Sequence, residues 1–182
     1  KVCNTLNVIG IPRSISADLI PIIAKAIASA GERRDRVSIM HACSQSMPLL
    51  AKCDVALDLI ALQDGELSTE WEWDDVPECS VFIYEDLKQA VQSFNDHAPN
   101  FIVSLVSDDK EEFDFVWRNV EAPFVGNGFT RWVDGQYALK RPELGLSNWH
   151  GGRLLGRGGV LSGDGVHTIR LRTTQADRDV HR

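Results

Sequence analysis

The feature that most constrains the fold is a regular alternation of apolar runs with helical patterns between residues 80 and 125. Short apolar runs at residues 80–84, 101–106 and 123–125 are typical of buried strands. Between them, apolar side chains recur at i, i+3, i+4 and i+7, first at Leu87, Ala90, Val91 and Phe94 and then at Phe113, Val116, Trp117 and Val120. This spacing places each set on one face of a helix. Two successive strand–helix–strand units predict a parallel sheet with right-handed crossovers.

The longest predicted helix covers residues 18–30. Its apolar stripe comprises Leu19, Ile22, Ile23, Ala26, Ile27 and Ala30. Gly31 follows at the position where a glycine commonly ends a helix in a left-handed conformation. Pro21 lies in the first turn, where its missing N–H group costs little. In the later helix that carries Phe113, Ser107 is the predicted N-terminal cap.

The remaining elements extend the same alternation. Strands are predicted at residues 5–9, 37–42 and 55–62, a short helix at 47–52 and a turn at 10–12. Residues 63–78 are polar and acidic and carry Trp71 and Trp73, which indicates an irregular surface segment.

The predicted fold class is therefore α/β, with an open, mostly parallel sheet and helices on both faces. Residues 1–126 form the predicted core. Residues 127–165 hold most of the 14 glycines and are predicted to be a loop region of the kind that covers a site. Residues 166–172 read as a late strand at an edge or between subunits, followed by a polar tail to residue 182.

The charge of the chain argues against a nucleic acid or an anionic membrane surface as a partner. Its 182 residues carry a net charge of −7, and Lys and Arg form no cluster. No secretory signal is recognisable, and the most apolar predicted helix is interrupted by Pro21 and Lys25, so no membrane span is predicted. The chain begins at Lys1 rather than at a methionine, and we expect it to be part of a longer polypeptide.

The cysteines indicate a reducing compartment. Cys3, Cys43, Cys53 and Cys79 show no C-x-x-C spacing and no paired histidine and cysteine ligands. This usage predicts free thiols in a cytoplasmic protein and no metal site.

Cys3 is the first candidate for chemistry, because it stands just before an apolar, β-branched run. Taken alone, such a cysteine is more often a small buried hydrophobic side chain than a nucleophile. Further along, Asn127, Thr130 and Arg131 bring polar side chains into the glycine-rich region, where a guanidinium suits a carboxylate or a phosphate. An equal alternative is that Arg131 ties the loop to an acidic neighbour.

Two motifs together resemble a known family. Residues 2–6 read V-C-N-T-L, and residues 127–135 read N-G-F-T-R-W-V-D-G. The combination, with its order and spacing, resembles the glutamate-5-semialdehyde dehydrogenases, also called γ-glutamyl phosphate reductases, of the aldehyde dehydrogenase superfamily. That family has V-C-N-A-x-(E/D)-T-L around its nucleophilic cysteine and N-A-S-T-R-F-x-D-G in a later loop. The resemblance implies the superfamily's catalytic-domain fold.

The resemblance also implies a role for each matching residue. Cys3 matches the nucleophile. The residues that match the substrate side of the motifs are Asn4, Asn127, Thr130 and Arg131. Glu70, in the run S-T-E-W, resembles the T-E-(Y/F) segment of the family, whose glutamate lies on the cofactor side. The alternative for Glu70 is a solvated side chain in an acidic loop.

The implied reaction is the reduction of γ-glutamyl phosphate to the semialdehyde, a step of proline biosynthesis, with NADPH as cofactor. The Cys3 thiolate attacks the acyl phosphate, releases phosphate and forms a thioester, which hydride then reduces. Backbone N–H groups near Cys3 would stabilise the oxyanion. No water attacks the thioester, so no hydrolytic base is required. The family uses its C-terminal strand for oligomerisation, which implies a homo-oligomer.

The chain also departs from the family pattern. Phe129 replaces the serine of N-A-S-T-R, Trp132 replaces the following phenylalanine, and Pro142 lies where the family has a glycine turn. The superfamily needs a nucleotide-binding domain before the cysteine, and no segment here is predicted to be one. Two alternatives therefore stay open: a non-catalytic relic of the fold that acts as an oligomerisation or protein-interaction module, and an aldehyde dehydrogenase with another acyl substrate.

Overall fold

The computed structural model describes residues 5–63, 65–71, 73–128, 149–150, 153–154 and 170–176. The chain divides into two compact units, residues 1–90 and residues 91–182. Helices and parallel strands occur in both units, so the predicted α/β class is confirmed. The strands nevertheless lie in separate sheets rather than in the one sheet that the alternation predicted.

The first unit contains a parallel sheet of four strands. These strands are β1 (Val8–Pro12), β2 (Ser38–Ala42), β3 (Leu57–Ala61) and β4 (Glu78–Tyr84). Their order across the sheet is β1–β4–β2–β3, with Val8 opposite Ser80 and Ile39 opposite Glu78. Two helices belong to this unit, α1 (Ser16–Glu32) between β1 and β2, and α2 (Met47–Leu50) between β2 and β3.

One face of this sheet packs on α1 and α2 and forms an apolar core. The core contains Ile11, Ile20, Ala24, Ile27, Met40, Ala42, Leu50, Cys79, Val81 and Ile83. Each fully buried large side chain of this set contributes about 1.5–3 kcal/mol to the free energy of unfolding. Ser38 ties the end of α1 to β2, because its Oγ donates a hydrogen bond of 2.7 Å to the carbonyl oxygen of Ile27.

The ends of α1 differ from the prediction. The helix begins at Ser16 and continues through Gly31 to Glu32, so Gly31 is not the left-handed residue that ends it, and Pro21 lies beyond the first turn. A Cβ on Gly31 would come within 2.5 Å of Ser38 Oγ and 2.6 Å of the Arg36 carbonyl oxygen. The glycine is therefore explained by the close approach of the chain that follows the helix.

The segment Arg13–Glu32 is long and apolar enough, by length and composition, to cross a membrane, which the sequence prediction had excluded. In the first unit, however, Ile20, Ala24 and Ile27 of this segment are buried in the core. Length and composition alone do not distinguish such a core helix from a membrane span.

β1 begins at Val8 and continues through Pro12, so the predicted turn at residues 10–12 is wrong. Gly10 lies opposite Phe82, and a Cβ on Gly10 would approach Phe82 Cζ to 3.0 Å. The glycine therefore makes room for an aromatic ring. Pro12 is tolerated because β1 is an edge strand.

In the second unit, a parallel sheet has the strand order β5–β6–β9. Its strands are β5 (Ile102–Ser104), β6 (Phe124–Gly126) and β9 (Leu171–Arg172). Two further strands, β7 (Trp149–His150) and β8 (Arg153–Leu154), form an antiparallel pair inside the region predicted to be loop. Helix α3 (Leu87–His97) spans the boundary of the two units, and α4 (Lys110–Asn119) connects β5 to β6.

The N-terminal cap of α4 is Asp109 rather than the predicted Ser107. Asp109 Oδ1 accepts a hydrogen bond of 2.7 Å from the backbone N–H of Glu111. Ser107 Oγ instead accepts from the backbone N–H of Asp109 and donates to a carboxylate oxygen of Glu112. Ser107 therefore supports the capping residue.

The late strand predicted at residues 166–172 is described only from Arg170 onward. β9 pairs in parallel with β6 of the same chain, with Phe124 opposite Leu171, and among the strands that the structure describes it lies at an edge of the sheet. The segment is held on α4: the Arg172 guanidinium pairs with Asp114, and the Arg170 guanidinium lies 4.4 Å from the Trp117 ring centroid. Any role of this strand between subunits stays a prediction.

Candidate functional site

Four of the six predicted site residues lie outside the described part of the chain: Cys3, Asn4, Thr130 and Arg131. Glu70 and Asn127 are described, the first in the unit of residues 1–90 and the second in the unit of residues 91–182. The roles of all six residues stay predictions.

Glu70 lies in the connection between β3 and β4, and its two chain neighbours are held by one amide side chain. Asn7 Nδ2 donates a hydrogen bond of 2.6 Å to the Thr69 carbonyl oxygen. The backbone N–H of Trp71 donates one of 2.7 Å to Asn7 Oδ1. The two bonds fasten the chain on either side of Glu70, whose residue is exposed. Asn7 directly follows the V-C-N-T-L run, so the segment after that run contacts the segment that bears Glu70.

Trp71 anchors the same segment to the sheet. Its indole Nε1–H donates a hydrogen bond of 2.9 Å to Ser80 Oγ on β4. Its ring stacks on the imidazole of His41 on β2, with centroids 3.7 Å apart and planes inclined by 11°. Such ring pairs contribute about 0.5–1.5 kcal/mol beyond the area that they bury.

His41 is buried beneath this stack, with only 5% of the residue exposed. Its Nε2 lies 2.7 Å from Glu78 Oε1, which orients the ring. Its Nδ1 has no hydrogen-bond partner among the residues that the structure describes, and Glu66 Oε2 lies 3.9 Å away. His41 therefore carries the underside of the segment that bears Glu70.

We name this set the Trp71 anchor: Asn7, His41, Trp71, Glu78 and Ser80. Nothing in the sequence prediction selected its members. The signal that could have found it is a histidine inside the otherwise apolar run of β2, together with the tryptophan that follows Glu70. A period-2 pattern places His41 on the face opposite Met40 and Ala42, where a polar side chain needs a cover.

Asn127, which follows β6, has a structural contact. Its Nδ2 donates to the Gln175 carbonyl oxygen at 3.2 Å, and its Oδ1 accepts from the Gln175 backbone N–H at 2.9 Å. Both polar ends of the amide therefore fasten the segment after β9 to the end of β6. These contacts do not test the predicted substrate role of Asn127, which stays a prediction.

Cys43 lies at the carboxyl end of β2 and was not a predicted site residue. Burial raises the pKa of its thiol, but hydrogen bonds from the Ser46 hydroxyl and from the backbone N–H groups of Ser46, Ile83 and Gln45 outweigh that effect. The pKa of Cys43 therefore lies below the usual thiol value, with Ser46 Oγ 3.3 Å from the sulfur. By contrast, burial raises the pKa of Cys79 to about 12.

A metal centre is not apparent in the described ranges. They contain no group of three or more His, Cys, Asp and Glu side chains arranged to hold an ion. The three described cysteines, Cys43, Cys53 and Cys79, are free thiols.

Comparison with known proteins connects the chain to one enzyme. The gamma-glutamyl phosphate reductase of Serratia marcescens is 26% identical over 139 residues, which make up 75% of this chain and 31% of that protein. The gamma-glutamyl phosphate reductase of Bifidobacterium longum subsp. infantis is 25% identical over 151 residues, or 80% of this chain and 32% of that protein. No protein-family model matches the chain.

The fold is likewise shared with a solved structure. The crystal structure of gamma-glutamyl phosphate reductase from Thermotoga maritima matches with a TM-score of 0.60 at 14% sequence identity. The match covers 75% of this chain and 30% of that one. At this identity the likeness shows the fold. The chain thus spans about a third of the length of the curated relatives that it matches.

Proposed function

We propose that the chain, a divergent relative of the gamma-glutamyl phosphate reductases, forms part of the catalytic domain of an oxidoreductase. The proposed reaction is the reduction of γ-glutamyl phosphate to glutamate-5-semialdehyde. The observation that carries the proposal is sequence identity of 24–26% over three quarters of the chain or more, together with the shared fold. The motif containing Cys3 supports the choice of nucleophile.

In the proposed mechanism, the Cys3 sulfur attacks the acyl carbon of the substrate. A carbon–sulfur bond forms, the bond from that carbon to the phosphate oxygen breaks, and phosphate leaves with the bonding electrons. When the thioester carbon is reduced, the carbon–sulfur bond breaks, the aldehyde leaves and the Cys3 thiolate is restored. Asn4, Thr130 and Arg131 are proposed to hold the substrate, where the guanidinium suits a carboxylate or phosphate.

The proposed cofactor is NADPH, which supplies the hydride when bound. The described residue that fits such a group is Glu70. Glu70 is exposed, and its carboxylate makes no hydrogen bond or ion pair to any residue in the described ranges, so it is free to accept hydrogen bonds from hydroxyl groups of the cofactor that carry no phosphate. The fastened backbone on both sides of Glu70 supports this assignment.

We further propose a cytoplasmic homo-oligomer. The free thiols of Cys43, Cys53 and Cys79 are consistent with a reducing compartment. Among the described strands β9 lies at an edge of its sheet, and this position supports pairing with a second copy, because an edge strand can pair with a further strand.

The decisive experiment compares two cysteine variants of the full-length protein. We expect Cys3→Ala to abolish the NADP- and phosphate-dependent oxidation of the semialdehyde, the reverse of the proposed reaction. Cys43→Ser is the matched control, since it removes a thiol with a lowered pKa and leaves Cys3 intact. We expect it to keep turnover within about twofold of the unmodified protein.

Unchanged turnover in Cys3→Ala would remove the proposed nucleophile. Absence of turnover in the unmodified full-length protein, with the fold intact, would favour the non-catalytic relic that serves as an interaction module.

A further inference from the structure

We propose that Trp71 and His41, together with Asn7, are positioning residues that fix the backbone from which the Glu70 side chain reaches the cofactor. The proposal rests on the proposed cofactor role of Glu70. It concerns residues whose side chains touch neither substrate nor cofactor in this account, and which act through the backbone of residues 69–71.

Asn7 holds the backbone around Glu70 at two points. A single planar amide bonds the carbonyl before Glu70 and the N–H after it, at 2.6 Å and 2.7 Å. Neither bond uses the Glu70 side chain. A loop residue held in this way has already lost backbone freedom that a ligand would otherwise have to remove on binding. The hold therefore prepares Glu70 for binding.

Trp71 is held in its orientation by three contacts. Its backbone N–H is held by Asn7, its indole N–H by Ser80, and its ring face by His41. Three contacts in different directions leave the residue next to Glu70 a single orientation. Glu70 is thus preceded by the held carbonyl group of Thr69 and followed by the held Trp71.

The side chains beneath the Trp71 ring are polar, unlike those on the other face of the sheet. On the face of the sheet that packs on α1, the corresponding positions are apolar, with Met40 and Val81 in the core. On the opposite face, the same two strands carry His41, Ser80 and Glu78. Burying such groups gains less stability than burying apolar side chains, and their benefit is a defined geometry.

His41 is the centre of that geometry. The bond from Nε2 to Glu78 sets the plane of the imidazole, and the plane of the stacked Trp71 ring is inclined to it by 11°. The other ring nitrogen, Nδ1, is buried without a hydrogen-bond partner in the described ranges, and a buried polar atom in this state calls for an explanation. Our explanation is that the His41 imidazole is retained because it orients Trp71, through its stack on the indole and its bond to Glu78.

The test is a double-mutant cycle in the full-length protein, read as the cofactor KM and as kcat. We expect Glu70→Gln and Trp71→Ala each to raise the cofactor KM about tenfold with kcat changed less than about threefold. The double variant should be no worse than Glu70→Gln alone, because both changes remove the same contact. His41→Phe keeps an aromatic ring beneath Trp71 and loses the bond to Glu78, so its KM should lie between those of the unmodified protein and Trp71→Ala.

Trp73→Phe is the matched control. Trp73 belongs to the same connection between β3 and β4 but packs against the apolar core instead of His41. The Arg34 guanidinium lies 5.3 Å from the centroid of its ring. We expect it to leave the cofactor KM unchanged. If Trp71→Ala does not fold, Trp71→Phe and Asn7→Asp take its place, since each removes only one or two hydrogen bonds.

The outcomes separate the two proposals. Multiplying effects in the double variant would overturn the positioning role while leaving the role of Glu70 intact, and an unchanged KM in Trp71→Ala would do the same. An unchanged KM in Glu70→Gln would overturn the cofactor role and the positioning role together, while the Cys3→Ala experiment still decides the reaction.

A readout independent of activity is the backbone order parameter of the Glu70 amide by NMR. We expect a rigid value of about 0.85 in the unmodified protein and less than about 0.6 in Trp71→Ala. A rigid Glu70 amide in Trp71→Ala would overturn the proposal whether or not the protein turns over substrate.

Discussion

At the scale of single residues, the thiols of Cys43 and Cys79 belong to neighbouring strands and have opposite environments. Cys79 is fully buried in β4, and its pKa is raised to about 12. Cys43 is half-buried just after β2, and the hydrogen bonds around its sulfur lower its pKa. A thiolate is the reactive form of cysteine, so the two residues differ in reactivity at neutral pH.

We therefore predict that a dilute thiol-directed electrophile at pH 7 labels Cys43 well before Cys79, as measured by peptide mass spectrometry. The rate at Cys43 should rise with pH and level off below the usual thiol pKa, because a lowered pKa gives more thiolate at lower pH. Ser46→Ala removes the hydroxyl next to the sulfur and should slow the reaction at neutral pH.

Labelling of Cys79 in the folded protein at a rate equal to that of Cys43 would contradict this account. The result also matters for Cys3. Preferential labelling of Cys3 is informative only when it is measured in a Cys43→Ser background, where the competing low-pKa thiol is absent.

At the scale of elements, the first turn of α4 distinguishes two candidate caps. The N-cap side chain satisfies a backbone N–H that has no partner within the helix. Asp109 fills this role, and its charge also lies at the positive end of the helix dipole. We predict that Asp109→Ala lowers the free energy of unfolding, measured with urea, by about 1 kcal/mol.

Ser107→Ala is the control for that measurement. Its hydroxyl contacts Asp109 and Glu112 near the surface rather than a free N–H of the helix. The expected loss is smaller, on the order of 0.5 kcal/mol. A larger loss for Ser107→Ala than for Asp109→Ala would assign the cap to Ser107 after all.

The same elements show what sequence patterns can and cannot predict. The stripes of α3 and α4 were predictable, because four apolar positions at helical spacing form one continuous face only if the segment is a helix. The roles of Gly10 and Gly31 were not, because each glycine makes room for an atom of a different element: Gly10 for Phe82 on β4, and Gly31 for Ser38 on β2. A local pattern reads such a glycine as a turn or a helix end.

The candidate site follows the same rule. Glu70 was found through a motif, which is local. The Trp71 anchor joins Asn7 to residues 64 positions away and His41 to a carboxylate on another strand, and no local pattern predicts such pairs. The strand predicted at residues 166–172 has its described part paired within its own chain, which depends on a partner strand, β6, that sequence periodicity does not identify.

At the scale of the whole molecule, the chain consists of two α/β units, and it spans about a third of the length of its curated relatives. Glu70 and its anchor belong to the first unit, and the sequence motif around Asn127 belongs to the second. The two motifs on which the family resemblance rests, at residues 2–6 and 127–135, fall in different units. The central claim of the proposed function is a covalent step at Cys3.

The most direct test of that claim is a search for the acyl-enzyme. The full-length protein is incubated with glutamate-5-semialdehyde and NADP in the absence of phosphate, quenched in acid and examined by peptide mass spectrometry. Without phosphate as the acceptor, the thioester has no route forward, so we predict a γ-glutamyl adduct on the peptide that contains Cys3 and none on those containing Cys43, Cys53 or Cys79. Turnover without an adduct on Cys3, or an adduct on another cysteine, would contradict the account.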